Sequence, residues 1–204
     1  MQTVLLTGFE PFDNDLVNPS WEAARQLDGV QLGEGARIVA HCLPCAFATA
    51  GEHLSRLISE LNPAMVIATG LAPGRSEMSI ERVAININDA RIPDNLGHQP
   101  IDTPVVADGP AAYFSTLPIK AMVKALRDAG VAAAVSQTAG TFVCNQVFYL
   151  LQHRLVEAGV RSGFIHVPSS PPADQPPLVE ALRLAVSTAW LTQADVRETG
   201  GQVS

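Results

Sequence analysis

Along this chain, short apolar runs stopped by glycine, proline or asparagine alternate with longer stretches whose apolar residues recur every three to four positions. A strand that is apolar on both sides must be covered on both faces, and amphipathic helices between successive strands supply the cover. The pattern predicts strands over 4–6, within 30–43, and over 64–70, 131–135 and 163–167. It predicts helices over 19–27, 47–61, 117–129, 141–158 and 177–191. Asn18 is placed to cap the first helix, with Pro19 at its opening position. Strand and helix in regular alternation predict an α/β fold, a single-domain three-layer αβα sandwich around a mostly parallel twisted sheet, with ligands beyond the carboxyl ends of the strands. The segment 80–87 reads as extended, and 87–118 is too long for a plain connection. That stretch is expected to be an ordered insertion that covers a pocket or joins a neighbouring subunit.

With 47% apolar and 16% charged residues, the 204-residue chain has the balance of a covered core rather than of disorder. A formal charge of −7 without a basic cluster opposes binding to nucleic acid or to an anionic membrane. The opening Met-Gln-Thr-Val-Leu-Leu-Thr-Gly reads as a buried strand rather than an export signal, and three cysteines cannot all pair. Both features point to the cytoplasm.

Cys144 lies where an apolar strand passes into a helix, in Ser136-Gln-Thr-Ala-Gly-Thr-Phe-Val-Cys-Asn-Gln-Val. Amides at a helix N-terminus favour thiolate over thiol, so this position can lower the thiol pKa and make a nucleophile. A buried packing cysteine is the alternative. Cys42 and Cys45 form C-x-x-C, but Pro44 and the preceding apolar run put them at a strand exit, and no second ligand pair follows. Structural thiols fit better than a redox pair or a zinc site, and no metal is expected. His166 ends the strand Ser162-Gly-Phe-Ile-His-Val-Pro, where an imidazole can relay a proton; His41, His53, His98 and His153 are less well placed. Glu81 interrupts the increasingly apolar Ser79-Ile-Glu-Arg-Val-Ala-Ile. A carboxylate there must pair with an arginine or accept the ring proton of His166.

Seven runs, in order along the chain, resemble the pyroglutamyl peptidase I (pyrrolidone-carboxylate peptidase) family of cysteine peptidases. They are Thr7-Gly-Phe-Glu-Pro-Phe, Gly70-Leu-Ala-Pro-Gly-Arg, Ile80-Glu-Arg-Val-Ala, Asp89-Ala-Arg-Ile-Pro-Asp-Asn, Tyr113-Phe-Ser-Thr-Leu-Pro, Ala139-Gly-Thr-Phe-Val-Cys-Asn and Gly163-Phe-Ile-His-Val-Pro. The resemblance implies removal of an N-terminal 5-oxoprolyl residue from peptides and amides without a cofactor. It puts the nucleophile on Cys144, the base on His166 and the orienting carboxylate on Glu81. A flat, uncharged lactam calls for apolar walls and a few polar groups. Phe9 and Phe12 are the implied walls, or else they finish the core. The resemblance sets Asn18 and Leu71 beside the ring and Arg91 near the reacting carbonyl, and it implies a homodimer or homotetramer.

Departures from the family pattern are few. Ser169-Ser170 stands where relatives carry bulkier residues, which implies a looser pocket rim, and Cys42 and Cys45 replace plain apolar positions. No G-x-S-x-G elbow and no phosphate loop is present. The rival reading is a non-catalytic module that binds a small lactam on the same fold.

Overall fold

The computed structural model describes residues 1–33, 35–169 and 174–200. The elements in chain order are β1 (Gln2–Phe9), α1 (Pro19–Gln26), β2 (Gln31–Leu32), β3 (Ala36–Leu43), α2 (Ala50–Leu61), β4 (Met65–Ala72), β5 (Met78–Glu81) and β6 (Val83–Ile85). They continue with β7 (Ala112–Phe114), α3 (Ile119–Asp128), β8 (Ala133–Ser136), α4 (Val143–Leu155), β9 (Arg161–Pro168) and α5 (Leu178–Leu191). Seven strands form one sheet in the order β2-β3-β1-β4-β9-β5-β8, and β6 pairs with β7 in a small second sheet.

Period-two alternation divides the core. Val4, Leu6, Met65, Ile67, Ile165 and Val167 point to the face covered by α1, α3 and α5. Leu5, Phe9, Val66, Ala68 and Phe164 point to the face covered by α2 and α4. On α2, Leu54, Leu57 and Ile58 of the expected stripe are buried, and its fourth member, Leu61, is partly buried against the same core. This is the expected αβα sandwich, in one α/β domain.

The sheet is mixed rather than uniformly parallel. β1 with β3, β1 with β4, β4 with β9, and β5 with β8 are parallel, whereas β2 runs against β3 and β5 against β9. Loop length accounts for both reversals, because parallel neighbours need a crossover of a dozen or more residues. Residues 73–77 only carry the chain past β9, so β5 returns in the opposite direction. The extended segment expected over 80–87 is two strands in different sheets, broken at Arg82.

The segment between β6 and β7 is fastened to both sides of the sheet's carboxyl end. Asp94 accepts from the amides of Phe47, Leu96 and His98 at 2.7, 2.9 and 2.9 Å. Asn95 Nδ2 donates to Glu10 Oε1 at 2.8 Å, and the Cys45 amide donates to the same oxygen at 3.0 Å. Thr141 Oγ1 donates to the Asp89 carbonyl at 2.7 Å, which binds the segment to the lead-in of α4. Among the described residues, no helix is long and apolar enough to cross a membrane.

Candidate active site

α4 carries Cys144 as its second residue, so the thiol sits in the first turn as expected. Buried Asn145 holds this end of the helix in place: its Oδ1 accepts from the Ile85 amide at 3.0 Å, and its Nδ2 donates to the carbonyls of Ile85 and Ile87. No side chain caps the turn, and the leading amides of a helix have no intrahelical acceptor.

The sheet supplies the thiol's neighbour. Gly70 and His166 are register partners on β4 and β9, and adjacent strands lie about 4.8 Å apart. A Cβ at position 70 would come within 2.7 Å of Cys144 Sγ and 2.9 Å of Phe164 Cζ. Glycine therefore leaves the space that the sulfur occupies, opposite its register partner His166 on the next strand. The His166 ring packs on Phe164 with centroids 4.8 Å apart. Among the described residues no hydrogen bond joins Sγ to the ring, as is common for thiol–imidazole pairs before substrate binds.

Behind the ring, His166 Nδ1 lies 2.8 Å from Glu81 Oε1. Met78 and Ile80 point to the α3 and α5 side, so alternation turns Glu81 toward α4. Glu81 is fully buried, and its Oε1 also accepts from Arg75 Nη1 at 2.9 Å. The two partners considered for this carboxylate, arginine and imidazole, are thus both present on one oxygen. Oε1 already accepts from the Arg75 guanidinium, so it meets Nδ1 as an acceptor, which puts the ring proton on Nδ1 and leaves Nε2 as the acceptor nitrogen.

The expectation that helix position would lower the Cys144 pKa is not met. Burial pushes this thiol up, reinforced by Cys45 and Glu81, with Arg75 opposing. The magnitudes explain the outcome: a helix terminus contributes about 0.3–1 kcal/mol, less than one pH unit, whereas desolvation can move a buried group by several. The direction of this shift favours the thiol form. Cys42 and Cys45 are pushed up by burial to about 11 and about 12, in keeping with structural thiols.

Cys144 and His166 open into a cleft of about 620 Å³ beyond the ends of β1, β4 and β9, and Phe9, Phe12, Asn18, Leu71 and Arg91 all line it. Phe9 also finishes the core at 2% exposure, the other reading of that ring. Asn18 caps α1 through Oδ1, which accepts from the Ser20 amide at 3.1 Å, while its Nδ2 donates to the Glu10 carbonyl at 3.0 Å. It thereby ties down the loop that bears Phe12. Arg91 reaches the cleft without a carboxylate within ion-pair distance among the described residues.

Sequence reasoning missed Phe142 and Arg75, which also line the cleft. Phe142 stands between Phe12 and Phe47, its ring centroid 5.0 Å from each. The sequence signal for Phe142 was its place two residues before the cysteine. Of Ser169-Ser170, the second lies outside the described residues. Two other hollows, between α2 and α4 and beside α3, contain none of the expected site residues. Among the described residues no group of three or more His, Cys, Asp or Glu side chains is arranged to hold a metal ion.

The pyroglutamyl peptidase family model matches residues 2–187. The chain is 73% identical to a pyrrolidone-carboxylate peptidase of Pseudomonas fluorescens, over the full length of both. It is 60% identical to a pyrrolidone-carboxylate peptidase of Cupriavidus necator, also over the full length of both. Among solved structures, the pyroglutamyl peptidase I of Bacillus amyloliquefaciens superposes with a TM-score of 0.91 at 42% identity, covering 97% of this chain and 99% of that one. The pyrrolidone carboxyl peptidase of Thermococcus litoralis gives 0.90 at 38% identity, covering 98% and 100%. By family model, sequence and fold alike, the chain belongs to the pyroglutamyl peptidase family of cysteine peptidases.

Proposed function

We propose that this protein removes N-terminal pyroglutamate from peptides and amides through a thioester on Cys144, with His166 as base and acid and Glu81 as the carboxylate that orients it. The observation that carries the reading is the buried Glu81–His166 contact of 2.8 Å beside a thiol, all opening into one cleft. His166 Nε2 takes the Cys144 proton as the sulfur attacks the carbonyl of the 5-oxoprolyl residue. The same nitrogen then protonates the departing amine, and the 5-oxoprolyl thioester remains. Water, deprotonated by His166, releases 5-oxoproline and restores the thiol. The uncapped amides of the first turn of α4 are the oxyanion donors, with Arg91 assisting. Phe9, Phe12 and Phe142 form flat walls for the lactam, with Asn18 and the Leu71 backbone on its edge.

No step needs a cofactor. The three free cysteines support a cytoplasmic location, and the charge of −7 argues against nucleic-acid or membrane partners. Homo-oligomers, dimers or tetramers, belong to this reading through the family membership alone.

Release of a reporter amine from a pyroglutamyl amide tests the reading, with a glutaminyl amide as control. Release from the lactam alone, abolished in a folded Cys144→Ser variant, is the expected result. Binding of the lactam without release or thioester formation would leave only the non-catalytic module.

A further inference from the structure

The turn between β4 and β5 aims one side chain at the buried carboxylate. Pro73 and Gly74 occupy its central positions, Gly74 has φ +83°, and the Arg75 amide donates to the Ala72 carbonyl at 3.2 Å. These are the marks of a type II turn, whose third position glycine adopts without strain. The turn sends the Arg75 side chain inward, leaving it 32% exposed. Nη1 donates to Glu81 Oε1 at 2.9 Å and to Ser136 Oγ at 3.3 Å, and Nη2 donates to the Thr138 carbonyl at 3.1 Å. One guanidinium thus joins the carboxylate behind His166 to the loop that leads into the Cys144 helix.

We propose that Arg75 is a positioning residue for the peptidase reaction: it keeps Glu81 ionised and aligned so that His166 presents Nε2 to Cys144. The proposal rests on the functional reading above. Glu81 Oε2 is buried without a partner among the described residues, so both donors to the carboxylate act through Oε1. The titratable and charged groups facing Glu81 are Arg75 from the turn, His166 from β9 and Cys144 from α4. Arg75 is the one of these that remains cationic at every working pH. Without it, the cation nearest the carboxylate is gone and Oε1 keeps the imidazole as its one partner, so the contact that fixes the proton on Nδ1 weakens.

The test compares Arg75→Met and Arg75→Lys with the wild-type protein. In Arg75→Met, kcat is expected to fall by about 10- to 100-fold with KM within about two-fold, on the scale of a charged hydrogen bond. The acid limb of kcat/KM moves to higher pH. Arg75→Lys, which retains the charge, restores the limb and most of kcat. Because Arg75 acts through Glu81, the Arg75→Met/Glu81→Gln pair is expected to be no slower than Glu81→Gln alone, within about two-fold. Alkylation of Cys144 by iodoacetamide against pH, read by peptide mass mapping, shows the same shift without substrate. It therefore tests Arg75 even if the wild-type protein releases no pyroglutamate. Should Arg75→Met fail to fold, Arg75→Gln carries the same comparison. Wild-type kcat and an unmoved limb in a folded variant would overturn the proposal. So would a loss that lysine does not repair and that adds in full to the Glu81→Gln loss.

Discussion

Gly70→Ala separates the placement of the nucleophile from the stability of the fold. The added methyl would lie 2.7 Å from Cys144 Sγ and 2.9 and 3.2 Å from two atoms of the Phe164 ring. Ordinary carbon contacts settle near 3.5–4.0 Å, so the sulfur or the methyl must give way by about 1 Å. β4 sits between β1 and β9 and holds its backbone in two ladders, so the sulfur moves, by rotation of its side chain. Displacing a reacting atom by about 1 Å costs on the order of 100-fold in rate, about 2.7 kcal/mol of barrier. Overpacking at a core site costs about 1–3 kcal/mol of stability, and turning the sulfur away leaves the contact with the buried Phe164 ring unrelieved, so the cost exceeds the lower end. At about 2 kcal/mol that is a fall of about 4–8 °C in Tm for a chain of this length. The assays are kcat/KM on a pyroglutamyl anilide and a thermal melt of the same preparation. A variant with wild-type kcat/KM and an unchanged melt would refute the position of Sγ over Gly70.

Asn18→Ala removes both the α1 cap and the tether to Glu10, and is expected to cost about 1–2 kcal/mol in urea unfolding and to raise KM more than it lowers kcat. Asp195 caps α3 from the C-terminal segment, accepting from the Lys120 and Ala121 amides at 3.1 and 2.8 Å. Asp195→Ala should therefore lower stability by about 1 kcal/mol while leaving kcat/KM within two-fold, and equal melting temperatures would count against the cap. The thiols of Cys42 and Cys45, pushed up to about 11 and about 12, stay neutral in the fold where an unfolded chain already ionises. Their contribution is complete below the unfolded value near 8.5 and is lost as pH rises through the folded values. The urea midpoint should hold steady from pH 7 to 8 and fall above about 9, less steeply in a Cys42→Ala/Cys45→Ala variant. Identical slopes would show that these thiols do not drive the fall.

The layers were readable because they follow from local periodicity. Leu54, Leu57 and Ile58 recur at helical spacing, and Leu5 and Leu6 alternate between two cores, whatever the rest of the chain does. The position of Cys144 at a helix start was legible for the same reason. The contact of Glu81 with His166, 85 residues apart in sequence, could be suggested by an acid in an apolar run but was made by strand order. The Arg75 bridge had a visible cue in Pro73-Gly74, yet its target depended on where β5 and β8 lie.

Sequence by itself thus determined which residues face the core and where the helices begin, since those properties are set within a few residues by backbone geometry and hydrophobicity. Tertiary structure alone decided the direction of β5, the double use of Glu81 Oε1 and the ionisation of Cys144. Each of these depends on distances between segments remote in sequence, and burial outweighs the local field of the helix once those segments close around the sulfur.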